Sequence, residues 1–237
     1  MLGRIHSIET LGALDGPGLR VVVFMQGCRL RCRYCQNPDT WAEDAGKEVS
    51  AREIVDMAIR YKPYFRGGGG ITLSGGEPLL QPAFATEVLL GCRARGIHTA
   101  LDTAGVEIDE FVDQALAQTD LVILDIKHAD AERHRQLTGA PLEPTLTFMR
   151  QVAVRGIDLW VRQVIVPGWN DSERDMLALA DLIRGATTLK KVELLPYHAM
   201  ARAKWEALGK PYPLAGTPEA DPAVRKHLEE VLIEAIS

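Results

Sequence analysis

The stretch that decides the fold is residues 27–37, Gly-Cys-Arg-Leu-Arg-Cys-Arg-Tyr-Cys-Gln-Asn, which directly follow an apolar, β-branched run at residues 19–25. It holds Cys28, Cys32 and Cys35 at the spacing C-x3-C-x2-C. Three thiolates this close together indicate a metal. Closed tetrahedral zinc sites take four ligands, and ordinary iron–sulfur clusters take four cysteines. Three cysteines would leave one iron of a cubane cluster without a protein ligand, and catalysis needs such an open coordination site.

The composition is typical of a globular protein. With 237 residues, 46% hydrophobic and 25% charged, the chain can form one α/β domain over residues 1–237. A net charge of -5 argues against a nucleic-acid partner. Neither a bilayer-spanning stretch nor a signal peptide is visible, so we expect a cytoplasmic protein with no membrane partner. In that reducing compartment, clustered cysteines are more often metal-binding or catalytic than disulfide-bonded.

Short apolar runs alternate with helical patterns along the whole chain. The predicted strands are residues 19–25, 71–74, 97–102, 121–124, 159–166 and 192–195. The predicted helices are 50–64, 82–95, 108–118, 130–137, 143–155, 172–184 and 222 to the end, with 199–220 irregular. Such alternation predicts parallel strands with right-handed crossovers. Six repeats are too few for the closed eight-stranded barrel, so we expect an α/β fold built as a partial (β/α)6 barrel.

Polar residues gather where these strands end. They are Gly75-Gly76-Glu77-Pro78, Asp102-Thr103, Asp125 with Lys127, His198, and Arg162 inside the fifth strand. Parallel strands would bring them to one edge beside the cysteines. Each also has a structural interpretation: either aspartate could cap the next helix, Lys127 could face solvent, and Arg162 could pair with a carboxylate. His198 could be a satisfied surface or core residue, and Cys92, in an apolar helical pattern, is expected to be a buried structural thiol.

These residues resemble a known family. The cysteine motif, with Tyr34 before its last cysteine, is similar to the signature of radical S-adenosylmethionine enzymes, and Gly75-Gly76-Glu77-Pro78 resembles their second motif. Further runs resemble the glycyl-radical activating enzymes, in particular those that activate pyruvate formate-lyase. They lie at residues 3–7, 15–18, 96–99, 101–103, 120–122, 124–125, 166–169 and 193–198. The cysteine motif alone identifies the superfamily, whereas these runs identify the subfamily.

The resemblance implies a mechanism and a set of site residues. Cys28, Cys32 and Cys35 would hold a [4Fe–4S] cluster whose fourth iron binds S-adenosylmethionine. Reductive cleavage would give a 5′-deoxyadenosyl radical that takes hydrogen from a glycine of the partner. Cofactor contacts are expected from Tyr34, Cys35, Gln36, Gly76, Glu77, Asp125, Ile126, Lys127, Arg162 and His198. A monovalent cation would be held by Asp102, Thr103, Ile123 and Asp125, and the partner's glycine loop would touch Asp15, Gly16, Pro17 and Gly18.

The resemblance also implies the partners: pyruvate formate-lyase as protein substrate and a flavodoxin or ferredoxin-type reductant, with the chain itself a monomer. Arg29, Arg31 and Arg33 place positive charge near the cysteines, which favours thiolate. They could equally be a solvated surface or a docking patch for the electron donor. Residues 36–91 contain no cysteine, which favours activators without a ferredoxin-like insert.

One departure from the family pattern concerns Gln36, which stands where the familiar members have histidine. A backbone contact there would tolerate the change, and a side-chain contact would not.

Two alternatives remain open at this point. One is an activator of another glycyl-radical enzyme, or a radical enzyme acting on a small molecule. The other is a non-catalytic zinc-binding protein that uses the three cysteines and a histidine such as His198. The zinc interpretation leaves Gly75-Gly76-Glu77-Pro78 and the strand-end residues unexplained.

Overall fold

The computed structural model describes residues 1–107 and 109–236. Its strands within these residues are β1 (Leu2–Gly12), β2 (Arg20–Met25), β3 (Lys47–Ser50), β4 (Gly70–Gly75), β5 (His98–Thr103), β6 (Leu121–Asp125), β7 (Asp158–Ile165) and β8 (Leu189–Pro196). Its helices are α1 (Ala51–Tyr61), α2 (Pro82–Arg93), α3 (Glu110–Leu116), α4 (Ala131–Thr138), α5 (Glu143–Val154), α6 (Glu173–Ile183), α7 (Arg202–Ala207) and α8 (Pro222–Ile236).

The chain divides into two compact units. The first contains Met1–Arg29 and Thr40–Ile123, and the second contains Leu30–Asp39 and Leu124–Ser237. The prediction of a single domain over residues 1–237 stays a prediction.

The first unit is built on a sheet in the order β3-β1-β2-β4-β5, followed by the start of β6. β2 pairs parallel with β4, from Arg20 opposite Gly70 to Met25 opposite Gly75, and β4 pairs parallel with β5. The side chains of Val21, Val22 and Val23 are fully buried, as expected for a parallel strand covered on both faces. The parallel arrangement predicted for these strands is confirmed.

Two strands of this sheet were not predicted. β1 runs antiparallel to both β2 and β3. Its sequence is mixed because one face is half exposed, and Gly3 is needed where a Cβ would lie 2.3 Å from the ring of Phe84. β3 is a short edge strand that begins with the charged pair Lys47-Glu48, a common way to protect an edge. Neither strand has the apolar run that identified the others.

The helices of the first unit follow the predicted pattern. Ser50 caps α1 in a capping box with Glu53, as predicted. α2 carries Cys92, whose side chain is fully buried, and burial raises the pKa of that thiol to about 12. The predicted start of α3 at residue 108 lies outside the described residues.

The second unit contains the parallel pair β7 and β8, with Arg162 opposite Glu193. α4 and α6 begin at the caps Asp130 and Ser172. Helix α7 contradicts the prediction that residues 199–220 are irregular. A helix of six residues shows no long amphipathic pattern, and this one is held by the burial of Trp205.

No helix within residues 1–107 and 109–236 has the length and apolar character needed to cross a membrane.

Candidate active site

The Gly-Gly-Glu motif of the first unit lies directly beside the start of the cysteine motif. The amide of Gly76 donates to Met25 O at 3.0 Å, and the amide of Glu77 donates to Gly27 O at 2.8 Å. A Cβ on Gly76 would lie 2.2 Å from Gly27 O, so only glycine fits. The parallel pairing of β2 and β4 thus places this motif next to the residue that precedes Cys28.

The side chain of Glu77 points into the protein interior. Its side chain is 1% exposed, and its carboxylate accepts from Thr103 Oγ1 at 2.6 Å, Leu79 N at 3.1 Å and Ala104 N at 3.0 Å. Burial raises the pKa of Glu77 to about 7, although these three hydrogen bonds lower it in part. The carboxylate therefore ties the ends of β4 and β5 together.

We expect Glu77 to make the protein less stable as the pH rises. Its pKa is about 7 in the folded chain, whereas an ordinary exposed glutamate has a pKa of 4.5. The folded state therefore binds more protons between these values, and the free energy of unfolding falls by about 3 kcal/mol across them. Glu77→Gln cannot titrate, so its stability should be flatter from pH 4.5 to pH 7. Urea unfolding of both proteins across this range checks this, and parallel curves would refute it.

Asp102 and Thr103 lie together at the end of β5. The carboxylate of Asp102 accepts from Ser74 Oγ at 2.8 Å, and the Thr103 hydroxyl accepts from Gly105 N at 2.9 Å while it donates to Glu77. The N-cap of α3 is Asp109, so Asp102 is not a helix cap.

The loop of Asp15, Gly16, Pro17 and Gly18 precedes β2, whereas Cys28 follows it. The six residues of β2 separate the two by about 20 Å along the strand. Sequence reasoning missed the residue that anchors this loop, Arg20. The Arg20 side chain is fully buried and donates to Pro17 O at 3.0 Å, Gly68 O at 3.1 Å and Ile71 O at 2.6 Å.

In the second unit, the cysteine segment, which we define as Leu30–Asp39, is held in place by hydrogen bonds of its backbone. Arg31 N donates to Thr138 O at 2.8 Å and Arg33 N donates to Leu137 O at 2.9 Å. Both acceptors lie at the end of α4. Cys35 N closes a turn on Cys32 O at 3.1 Å. The backbone on both sides of Cys32 is therefore held independently of the thiol.

Asp125, Lys127 and Tyr34 form a charged group in the second unit. Lys127 pairs with Asp125, and its ammonium lies 5.7 Å from the centre of the Tyr34 ring. The side chain of Lys127 is 13% exposed, so it does not face solvent. Burial lowers the pKa of Lys127, but Asp125, together with Tyr34 and Cys32, outweighs this and raises it well above its usual value. Burial raises the pKa of Tyr34, so its hydroxyl stays protonated.

Several polar atoms of this unit are buried without a protein partner. Within residues 1–107 and 109–236, six buried side-chain polar atoms lack a hydrogen bond, and three belong to predicted cofactor residues: Tyr34 Oη, Asp125 Oδ1 and His198 Nδ1. Such atoms are normally paired with protein groups or ordered water, and a bound polar ligand can supply the same hydrogen bonds. A fourth is Gln163 Oε1, whose amide nitrogen donates to Ile126 O at 2.9 Å. A polar residue inside the apolar run 159–166 was the signal for Gln163.

Two further predicted residues of the second unit, Arg162 and Gln36, form hydrogen bonds with other groups of the protein. Arg162 is paired with Glu193 through Nε at 3.2 Å and Nη2 at 3.1 Å, which matches its scaffold interpretation. The Gln36 amide donates to Tyr34 O at 3.2 Å and to His198 O at 3.1 Å. Gln36 therefore joins the cysteine segment to the end of β8 through backbone acceptors.

Within the described part of the chain, no group of three or more His, Cys, Asp or Glu is arranged to hold a single metal ion. A cubane cluster makes a different demand, because each cysteine binds a different iron and the sulfurs need not converge on one point.

Comparison with known proteins identifies the family. The sequence profile described as the Radical SAM superfamily matches residues 22–180. The chain belongs to the radical SAM superfamily. It is therefore an enzyme, and the predicted α/β fold of the radical SAM type is confirmed. Membership implies a [4Fe–4S] cluster and S-adenosylmethionine, and it argues against a non-catalytic zinc protein.

Relatives of this radical SAM enzyme carry a more specific name. A pyruvate formate-lyase-activating enzyme from Clostridium pasteurianum is 47% identical over 237 residues, which is 100% of this chain and 99% of that protein. One of the same name from Listeria monocytogenes is 43% identical over 223 residues, covering 91% of this chain and 90% of that protein. The crystal structure of a domain of pyruvate-formate lyase-activating enzyme from Bacteroides vulgatus matches with a TM-score of 0.59 and 27% identity, over 70% of this chain and 94% of that chain.

Proposed function

We propose that this radical SAM enzyme activates pyruvate formate-lyase by forming a glycyl radical on it. The observation that carries the proposal is similarity over the whole chain, 47% identity across all 237 residues, to a relative named for that activity. A shared catalytic domain alone would support only the superfamily.

The residues present fit the implied cofactors. Three cysteines at C-x3-C-x2-C, Cys28, Cys32 and Cys35, would hold the cluster and leave one iron open. Such a cluster, once reduced, would supply the electron for cleavage of S-adenosylmethionine, which would yield methionine and the 5′-deoxyadenosyl radical that takes a hydrogen atom from the partner glycine.

The polar groups of the second unit suit a zwitterionic ligand such as S-adenosylmethionine. The Tyr34 hydroxyl offers a proton donor, and Asp125 Oδ1 offers an acceptor, both buried and unpartnered. Lys127 and Arg162 add positive charge that is largely shielded from water. Further contacts are proposed for Cys35, Gln36, Gly76, Ile126 and His198, with Glu77 supporting Gly76 from within the protein.

We also propose a monovalent cation held by Asp102, Thr103, Ile123 and Asp125. Two carboxylates among these residues supply the oxygen ligands that such a cation prefers. The cation would offset negative charge near the ligand's carboxylate.

The partner surfaces are assigned from the sequence motifs. The loop Asp15-Gly16-Pro17-Gly18, which Arg20 anchors, is proposed to contact the partner's glycine loop away from the reacting glycine, because the length of β2 separates it from Cys28. The docking surface for a flavodoxin or ferredoxin-type reductant would be formed by Arg29, Arg31 and Arg33. The protein is proposed to act as a cytoplasmic monomer.

Anaerobic turnover tests this proposal. The protein is reconstituted with iron and sulfide, reduced, and given S-adenosylmethionine with or without pyruvate formate-lyase. We expect 5′-deoxyadenosine together with active lyase. Cleavage without activation would point to another glycyl-radical enzyme or to a small-molecule substrate, and an iron-loaded protein that cleaves nothing would refute the radical chemistry.

A further inference from the structure

Helix α7 contacts the cysteine segment at three positions. The indole Nε1 of Trp205 donates to Cys35 O at 3.0 Å. The neighbouring Lys204 donates to Asn37 Oδ1 at 2.8 Å and pairs with Asp39 at 3.2 Å. All of these residues belong to the second unit. A helix that follows the last strand therefore holds a segment about 170 residues earlier in the chain.

Trp205 is itself rigidly placed. Its side chain is 4% exposed and meets the ring of Tyr212 edge-on, with the centroids 5.7 Å apart. The Tyr212 hydroxyl in turn shares a 2.9 Å hydrogen bond with the hydroxyl of Tyr197, which directly follows β8. The indole N–H therefore reaches Cys35 from a fixed aromatic group and not from a mobile surface.

The hydrogen bond from Trp205 acts on the backbone of Cys35 itself. Cys35 N is already bonded to Cys32 O at 3.1 Å. The indole binds the carbonyl, so both peptide groups that flank the Cys35 side chain are restrained. Partners that orient a metal ligand control how firmly the metal is held, and their loss typically costs a factor of about 10 to 100 in affinity.

We propose that Trp205 is a positioning residue for the cluster ligand Cys35, acting through the Cys35 carbonyl. This inference rests on the proposed function, because it requires that the cysteines hold a cluster. Helix α7, which contains no recognisable sequence motif, would thus help the protein to retain its cluster.

The test compares anaerobically reconstituted full-length proteins. Trp205→Phe keeps an aromatic ring but lacks the N–H, and Tyr212→Phe is the matched control, which loses a hydrogen bond of the same aromatic group but keeps the indole. Iron loss to a chelator and the electron paramagnetic resonance spectrum of the reduced cluster are measured, with thermal unfolding of both apoproteins. We expect Trp205→Phe to lose iron about tenfold faster than the wild type and to show an altered spectrum. Tyr212→Phe keeps both the edge-on ring contact with Trp205 and the indole N–H, so it should match the wild type in both.

A second variant tests the same hydrogen bond in case Trp205→Phe does not fold. Benzothienylalanine incorporated at position 205 keeps the bicyclic shape and replaces the N–H with sulfur, so packing is preserved. It should also lose iron about tenfold faster. Wild-type rates and spectra in both variants would overturn the inference alone. A wild-type protein that takes up no cluster would overturn the proposed function and this inference together.

Discussion

Cys32→Ala is expected to abolish cleavage of S-adenosylmethionine while the chain stays folded. Loss of a direct ligand should reduce activity by more than the factor of about 100 that follows loss of a supporting residue. The backbone bonds of Arg31 and Arg33 to α4 do not involve the thiol, so the segment should keep its path. Iron content and 5′-deoxyadenosine production after reconstitution measure the effect.

The matched control for this variant is Cys92→Ala. Cys92 is fully buried in α2, and its raised pKa keeps the thiol protonated. We expect a modest loss of stability from the small cavity and wild-type iron content. Continued production of 5′-deoxyadenosine by Cys32→Ala would refute its assignment as a ligand.

Asp125→Ala is expected to weaken binding of S-adenosylmethionine at least tenfold and to destabilise the protein. The substitution removes a buried acceptor proposed to face the cofactor, and it leaves the Lys127 ammonium, only 13% exposed, without its carboxylate. An unpaired buried charge of this kind costs about 3–5 kcal/mol. Cluster content should be unchanged, because Asp125 is not a proposed cluster ligand. Equilibrium dialysis and urea unfolding measure the two effects.

The double variant Asp125→Ala/Lys127→Met separates these two effects. Removing both charges should restore most of the stability, because no charge is left unpaired. Binding of S-adenosylmethionine should stay weak. Wild-type affinity in Asp125→Ala would contradict the proposed contact, and an unstable double variant would contradict the explanation from the ion pair.

The sequence predicted strands β2, β4, β5, β6, β7 and β8 because each contains a short apolar run, which is a local pattern. It also predicts which strand ends carry chemistry, since parallel strands place their carboxyl ends together; these site assignments stay predictions. β1 was missed because its polar residues, such as Glu9, occupy a half-exposed face. Its pairing depends on β2 and β3, and residues 2–12 alone do not reveal it.

The environment of each site residue was harder to predict than its position. Glu77 belongs to a recognisable motif, yet only the folded chain shows its carboxylate enclosed by Thr103, Leu79 and Ala104. Gln36 donates to two carbonyls, one of them 162 residues away in sequence, and no local pattern encodes that distance. α7 was missed for the same reason, because its contact with Cys35 is purely tertiary.

Activation of pyruvate formate-lyase by this enzyme requires that a hydrogen atom move from a glycine of the lyase to the 5′-deoxyadenosyl group. The most direct measurement uses lyase labelled with glycine deuterated at Cα, mixed anaerobically with the reduced, iron-loaded protein and S-adenosylmethionine. Mass spectrometry of the nucleoside then reports the origin of the hydrogen. We expect one deuterium in the 5′-deoxyadenosine and a glycyl radical signal on the lyase. Unlabelled 5′-deoxyadenosine with no radical on the lyase would refute the proposed hydrogen transfer.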